Sequence, residues 1–301
     1  MILLIQLNMR RDDMLKHSKI MLLFLLFTFL IANIQVASAQ TEWYWISSDS
    51  KYTKYFAPER VVVSAQKNNI ATQIEAWTKT VYAYAGAAET ITNYGIQAII
   101  PDPAKLSYSL ARLHINPQDR TVEYVQEIFY DANGNVLWSK DTSTPIVKEI
   151  NSRAFDEDFY CLIVDQVFKK NEAKQSKASD RWLTLWKSES TDGSTVCWAD
   201  TTTIRLRGNT ATLWVWEEQN NISGKVVEIK FRKKVYNLTN ETSKIVTYNY
   251  WNESKGWIVE TDGIDGRFNS IVPDSNEDVG IKELKKYIES HKDWVSRYNL
   301  E

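Results

Sequence analysis

The 301-residue sequence has few of the residues that small disulfide-rich or catalytic scaffolds require: two Cys, three His, six Pro and ten Gly. Two Cys are too few for a disulfide framework. Cys161 and Cys197 allow at most one disulfide between them. Because their spacing does not show that the two Cα atoms approach closely, two separate thiols, at least one of them buried, are the alternative.

The scarcity of His leaves little material for a catalytic or metal site. Beyond the first forty residues only His114 and His291 remain, and neither has metal-ligand spacing to a second His or a Cys. The segment 131–135 (DANGN) resembles a calcium loop, but it lacks the final Glu ligand and a hairpin turn explains the same residues. The sequence therefore predicts no enzyme activity, no metal and no cofactor. A small hydrolase whose site assembles from distant residues is the alternative.

The sequence also has no large excess of positive or negative charge, since the formal net charge is −2. Residues 1–39 hold four of the 36 Lys and Arg and two of the 38 Asp and Glu, which leaves −4 on the remaining 262 residues. A slightly acidic chain without a basic stripe argues against a nucleic-acid partner.

Only one long apolar run occurs, and it lies near the start. A positive stretch, residues 14–19, precedes the apolar segment Ile20 to Ile34, and the small-residue sequence Ala37-Ser-Ala39 follows. These are the three parts of a secretory signal, so we expect export, with cleavage after Ala39 and a periplasmic, extracellular or cell-surface destination. The alternative is an uncleaved anchor, but a spanning helix needs roughly 20 apolar residues. Residues 1–13 lie upstream of a better start at Met14 or Met9, so we expect a misassigned start codon.

Aromatic residues are abundant, with twelve Trp, fifteen Tyr and ten Phe. We interpret most of them as large fillers of thin sheet-and-helix cores. The alternative is a set of exposed rings on which sugars stack.

The chain after the signal repeats one plan twice. The plan starts with a Trp, which is followed by a polar turn, an aromatic residue, a short strand and a longer strand. It begins at Trp45 in the first copy and at Trp186 in the second. Two further strand pairs follow in each copy, and each copy ends in a segment of helical period. We predict repeat 1 over residues 40–170, a linker over 171–180 and repeat 2 over 181–301.

Each repeat is predicted to be an antiparallel β-sheet, a meander of hairpins packed by a C-terminal helix, which is an α+β fold. Alternation of apolar and polar residues over 227–235 indicates a strand with one buried face, and Asn133-Gly134 indicates a two-residue hairpin turn. Phe155, Phe159, Ile163 and Val167 form one helical stripe that Ser152 can cap. A second helix carries Ile281, Leu284, Ile288 and Val295.

Segment 82–105 has no counterpart in repeat 2. It reads as a short helix followed by a loop limited by Pro101 and Pro103. Two roles are open for this segment: it adds a function to the repeat, or it covers an edge strand.

Residues 186–236 contain the opening Trp186, the strand Ile204-Arg-Leu206 and the strand Trp214-Val-Trp216, and repeat 1 has weaker landmarks at Trp45, Phe56 and Trp77. On these landmarks the segment resembles the surface-adhesin protein E domain of bacterial envelope proteins. The whole chain resembles secreted bacterial proteins that carry this unit in tandem. The resemblance implies an antiparallel sheet with a packed helix, binding to host proteins, and in some members a homodimer. It implies no functional residue of this chain.

Together these patterns predict an exported envelope protein with a non-catalytic binding or adhesin-like role, whose partner is an envelope or host protein. The alternatives are a carbohydrate or cell-wall binding module that uses exposed aromatic rings, and the small hydrolase named above.

Overall fold

The structure, a computed structural model, describes residues 41–299 except 153, 262, 263 and 265. The predicted signal segment and its cleavage point at Ala39 lie outside the described residues. From Glu42 onward the chain forms one compact unit. No helix among the described residues is both long and apolar enough to cross a membrane.

Two antiparallel eight-stranded sheets form the architecture, one in each repeat. Sheet 1 has the order β1-β2-β4-β5-β6-β7, with β3 paired to β4 and β8 paired to β6. Its strands are β1 Tyr44–Ser48, β2 Tyr52–Phe56, β3 Val62–Lys67, β4 Ile70–Tyr82, β5 Tyr108–Asn116, β6 Thr121–Tyr130, β7 Val136–Asp141 and β8 Lys148–Glu149.

Sheet 2 has the order β15-β14-β13-β12-β10-β9, with β11 paired to β12 and β16 paired to β14. Its strands are β9 Trp182–Ser190, β10 Gly193–Asp200, β11 Arg205–Arg207, β12 Thr210–Asn221, β13 Val226–Asn237, β14 Thr242–Asn252, β15 Gly256–Glu260 and β16 Asn269–Ser270. Strand for strand, the connectivity of sheet 1 is reproduced. The predicted α+β class with two tandem sheet repeats is therefore confirmed.

Helices cover one face of each sheet. They are α1 Tyr84–Tyr94, α2 Glu157–Phe168, α3 Glu172–Gln175, α4 Asn276–Ser290 and α5 Lys292–Val295. Helix α2 buries Phe159, Tyr160 and Ile163 against sheet 1, and α4 buries Ile281, Leu284 and Ile288 against sheet 2. Val295 is also buried, but in α5, because α4 ends at Ser290.

The start of α2 differs from the prediction. The helix begins at Glu157, so Ser152 is not its cap, and Phe155 lies before the helix with 41% of its side chain exposed. The Ser275 hydroxyl does cap α4, where it accepts a hydrogen bond from the Asp278 amide at 3.2 Å.

The turn between β6 and β7 is also longer than predicted, since five residues, 131–135, separate the two strands. The Asp131 carboxylate closes this turn by accepting hydrogen bonds from the Asn133 and Asn135 amides, both at 2.8 Å. Gly134 has a φ of +82°, a value that favours Gly. The Asp131 carboxylate therefore stabilises the turn, in agreement with the interpretation of residues 131–135 as a hairpin turn rather than a calcium loop.

Segment 82–105 supplies helix α1, whereas the corresponding strands of repeat 2, β12 and β13, are joined by residues 222–225 without a helix. Ala87 and Ile91 of this helix join Phe129 of β6 in a separate apolar cluster with Ile96, Ile100 and Leu106. Gly86 lets the helix lie against the turn before β2, since a Cβ there would lie 2.3 Å from the Lys51 carbonyl oxygen.

The segment predicted as a linker contains α3, and its Glu172 is fully buried. The Glu172 carboxylate lies 2.6 Å from Arg297 Nε and 3.0 Å from the Tyr298 hydroxyl, with Arg120 at 3.5 Å and Arg205 at 3.6 Å. Although burial alone would raise it, these three guanidinium groups lower the pKa of Glu172 to about 2.

A second pair of carboxylates extends this ionic network. The Arg181 guanidinium lies 2.6 Å from Glu157 and 2.8 Å from Asp200, and Arg120 lies 2.7 Å from Glu157. Arg120, Glu157 and Glu172 come from repeat 1 and its connecting segment, whereas the other members come from repeat 2. The repeats are thus joined by buried ion pairs.

Candidate functional site

The two Cys lie in different cores. Cys161 is in α2 within the core of repeat 1, and Cys197 is in β10 within the core of repeat 2. Both are free thiols, so the disulfide considered from the sequence is not formed. Burial raises the pKa of each thiol to about 12, which keeps them protonated and poorly nucleophilic.

The two His lie in different repeats, His114 in repeat 1 and His291 in repeat 2, where its Nδ1 lies 2.9 Å from the Ser290 hydroxyl. His114 of β5 lies 3.3 Å from Glu75 and 4.0 Å from Glu123 on neighbouring strands. His291 follows α4 and stacks on Tyr287 at 4.1 Å between ring centroids. Within the described ranges, no group of three or more His, Cys, Asp or Glu side chains is placed to hold a metal ion.

The aromatic residues divide between core and surface. Trp214 and Phe231 are buried, but Trp182 and Trp257 are 37% and 38% exposed. The Trp216 ring joins them, with centroid distances of 6.4 Å to Trp182 and 5.9 Å to Trp257. We call Trp182, Trp216 and Trp257 the tryptophan row. The tryptophan row crosses sheet 2 from β9 to β15, and it is separate from the apolar cluster that α4 covers.

A concavity lies in repeat 1, on the sheet face that the helices cover. Helix α2 covers one end of this face and α1 the other, and a cleft of about 380 Å³ opens between them. We call it the repeat 1 cleft. Its lining comprises Tyr52, Thr78, Thr80, Tyr82, Glu89, Thr90, Asn93, Tyr94, Ser109, Leu110, Ala111, Tyr124, Glu127, Lys148, Phe155 and Asp156.

The chemistry of the cleft floor follows from the strand alternation. Along β4 the inward positions are apolar at Ile74 and Ala76 and then become Thr78 and Thr80, all of them buried. On β5 the inward Ser109 hydroxyl lies 2.7 Å from the Tyr82 hydroxyl. A floor that presents hydroxyl groups is suited to polar ligands.

Two buried carboxyl groups face this floor, Glu127 of β6 and Asp156 before α2, which are 8% and 7% exposed. Glu127 accepts a hydrogen bond from the Tyr94 hydroxyl of α1, and Asp156 accepts one from the Tyr124 hydroxyl. Burial raises the pKa of both carboxyl groups, and the hydrogen bond from the tyrosine opposes that increase.

Aromatic rings form one side of the opening. Tyr52 and Phe155 meet edge to face at 5.1 Å, and both line the cleft. The Lys54 ammonium lies 3.9 Å from the Phe155 ring centroid and donates a hydrogen bond of 2.6 Å to the Phe155 carbonyl oxygen. An ammonium group is thus already held against this edge of the cleft by a cation–π contact.

The helix-covered face of sheet 2 is arranged differently, because no helix corresponds to α1. There Glu217 forms ion pairs with Arg232 and, at 3.3 Å, with Lys230. Lys230 also lies 2.8 Å from Glu228, and Lys234 pairs with Glu277 of α4. In repeat 2 the carboxylates of this face are therefore neutralised by cations of the chain itself.

Sequence reasoning missed the cleft, although the inward polar positions of β4 are a signal that could have indicated it. It placed Phe155 in a helical stripe, and it left two roles open for segment 82–105. The structure brings Phe155 and helix α1 of that segment together around Glu127. In comparisons with known proteins, no family model matches the chain and no curated protein matches it.

Proposed function

We propose that the chain is an exported, non-catalytic binding protein that takes a small polar ligand in the repeat 1 cleft. The observation that carries the proposal is the cleft itself, a volume of about 380 Å³ lined by hydroxyl, carboxyl and aromatic groups. This is within the usual range for small-molecule sites. The predicted signal segment supports the exported setting.

The lining favours a ligand rich in hydrogen-bonding groups. Thr80, Thr90, Asn93 and the tyrosine hydroxyl groups offer donors and acceptors, while Tyr52 and Phe155 offer ring faces. Saccharides combine hydroxyl groups with a flat apolar face, so this composition supports the carbohydrate form of the binding hypothesis.

Binding rather than catalysis is proposed because each buried carboxyl group already accepts a hydrogen bond from a tyrosine, and neither His114 nor His291 lines the cleft. The hydrolase alternative requires Glu127 or Asp156 to act as a general acid, for which a raised pKa is suitable. Turnover of chromogenic glycosides or esters that Glu127→Gln abolishes would favour the hydrolase.

The direct test is calorimetric titration of residues 40–301 with a panel of neutral and charged saccharides and polyols. Thr80→Ile replaces the hydroxyl on the cleft floor by an ethyl group and should weaken binding, since a hydrogen-bonding group is lost to an apolar one. Thr247→Ile on β14 is the matched control in the other repeat. Equal binding by both variants, or no binding by the wild type, would contradict the proposal.

A second candidate is a glycan contact at the tryptophan row. The observation that favours it is the line of Trp182, Trp216 and Trp257 across sheet 2, since ring faces on a sheet surface suit extended polysaccharides. Co-sedimentation with purified peptidoglycan tests it, with Trp182→Ala as the variant. Trp45→Ala is the control, because Trp45 is 62% exposed but lies on β1 of the other repeat.

The adhesin-like form of the proposal adds a protein partner in the envelope or on a host, and a homodimer as one assembly. Purifying the secreted chain with its native envelope and identifying the co-purifying proteins tests both. Recovery of free monomer alone would count against this form and would leave ligand binding in the cleft to be judged by titration.

A further inference from the structure

We infer that the ligand of the repeat 1 cleft carries a positive charge, as a primary ammonium group that binds between Glu127 and Asp156. This inference rests on the proposed function, because it assumes that the cleft is a binding site. The class of ligand it names is an amine: an aliphatic diamine or polyamine, an amino sugar, or the side chain of a lysine.

The charge of the two carboxyl groups is the first argument. Glu127 and Asp156 are more than nine-tenths buried, yet in the described part of the chain neither has a Lys, Arg or His nitrogen within ion-pair distance. Lys148 and Lys140 act on Glu127 only at longer range, and Lys148 and Lys54 do so on Asp156. Buried carboxylates are normally paired, so a cation from outside the chain would complete this site.

The hydrogen-bonding capacity of these groups points the same way. A carboxylate has about four acceptor positions, and one tyrosine hydroxyl fills only one of them. An ammonium group has three donors and no acceptor. It can therefore bridge both carboxylates and leave one hydrogen for a hydroxyl of the cleft floor, such as that of Thr80 or Ser109.

The contrast with repeat 2 is the second argument. On the corresponding face of sheet 2, Glu217 and Glu228 are paired with Arg232 and Lys230. The same scaffold thus pairs the inward carboxylates of sheet 2 with internal cations, whereas Glu127 and Asp156 of the described chain have none within ion-pair distance. On the sheet 1 side Lys54 pairs instead with Asp158 at 3.5 Å, and Lys148 lines the cleft without pairing with either carboxylate.

The aromatic edge is the third argument. Lys54 shows that the ring of Phe155 accepts an ammonium group at 3.9 Å. Tyr52 lies 5.1 Å from Phe155, and both rings line the cleft. The methylene groups of an alkyl amine would pack on these rings while the charge reaches the carboxylates, as lysine side chains do on protein surfaces.

The test compares two probes of equal length on the wild-type protein, 1,4-diaminobutane and 1,4-butanediol, by calorimetric titration. Glucosamine and glucose form a second pair that differs in the same way. We expect each amine to bind at least about tenfold more tightly than its hydroxyl analogue, because an ammonium group pairs with buried carboxylates that a hydroxyl cannot neutralise.

Variants then locate the site. Glu127→Gln and Asp156→Asn should each weaken amine binding by about tenfold or more and leave the affinity for neutral probes nearly unchanged. Glu123→Gln is the matched control, since Glu123 lies on the same strand but faces His114 on the other side of the sheet. If one variant fails to fold, the other variant and the wild-type probe pairs still decide the question.

The outcomes separate this inference from the proposed function. Equal affinity for amines and hydroxyl analogues, with loss of both in Thr80→Ile, would overturn the inference and support the cleft as a neutral-ligand site. Amine binding that Glu127→Gln and Asp156→Asn leave intact would also overturn it. No binding of either class would contradict both.

Discussion

Buried ion pairs form the joint between the two repeats, and Glu172 should contribute more to its stability than any other carboxylate. Its pKa lies at about 2 in the folded chain, against an ordinary value of 4.5. At about 1.4 kcal/mol for each pH unit between the two values, its ionisation contributes about 3 kcal/mol at neutral pH. Glu172→Gln keeps the shape of the side chain and removes the charge. We expect it to lower the free energy of unfolding by about 3 kcal/mol, because Arg297, Arg205 and Arg120 lose a buried counter-charge.

The pH dependence of this loss separates ion pairing from simple packing. Because the folded pKa of Glu172 is lowered, its contribution is present above the unfolded pKa of 4.5 and is lost as the pH falls toward 2. The stability difference between wild type and Glu172→Gln should therefore shrink over that window. Other carboxyl groups titrate in both proteins and cancel in the difference.

Urea unfolding, followed by tryptophan fluorescence at a series of pH values, measures this difference. Glu253→Gln is the control, since its carboxylate pairs with Lys225 on the surface, where both side chains are more than half exposed. A difference below about 1 kcal/mol at neutral pH, or one that is constant with pH, would refute the reasoning.

Three further predictions concern local features. Gly86→Ala should destabilise the chain by about 1–3 kcal/mol in thermal unfolding, because the new Cβ would lie 2.3 Å from a backbone oxygen. Ala85→Ser on the exposed side of α1 is the control and should not destabilise it. Equal melting temperatures of the two variants would contradict the packing argument. Ser275→Ala should cost about 1 kcal/mol through loss of the α4 cap, with Ser290→Ala at the other helix end as control. Cys161 and Cys197 should resist Ellman's reagent in the native protein and react as two thiols in denaturant; rapid native labelling would show that burial does not protect them.

The sheets were predictable because their signals are local. The turns that separate the strands are properties of neighbouring residues, and they recur in the same order in both repeats. The repeated sequence plan therefore translated directly into repeated connectivity. The alternation predicted over 227–235 did not give one buried and one wet face, since Lys234 and Val235 of β13 are both buried.

The start of α2 was not predicted because two periodicities overlap there. Phe155 lies four residues before Phe159 and extends the apolar stripe in sequence, but the helix begins at Glu157. Phe155 instead contacts Tyr52 of β2 at the cleft, a contact more than 100 residues apart in sequence that no local pattern encodes.

The linker prediction and the missed cleft share a physical cause. Residues 171–180 are polar, which indicates exposure, yet Glu172 is buried because arginines from three distant segments surround it. In the same way, Thr78 and Glu127 reveal a cleft only once the strands are paired and α1 and α2 are seen to leave a gap. Buried polar groups depend on partners that sequence spacing does not supply.

The joint between the repeats has the composition of an interface between two unlike proteins. One side presents Arg120 with two carboxylates, and the other presents three arginines with one carboxylate, Asp200. The two halves therefore carry opposite surplus charge at their contact. A chain divided near the exposed Lys177 should yield fragments that recognise each other and associate more slowly as salt increases, so that the duplicated protein can serve as a split, self-assembling pair.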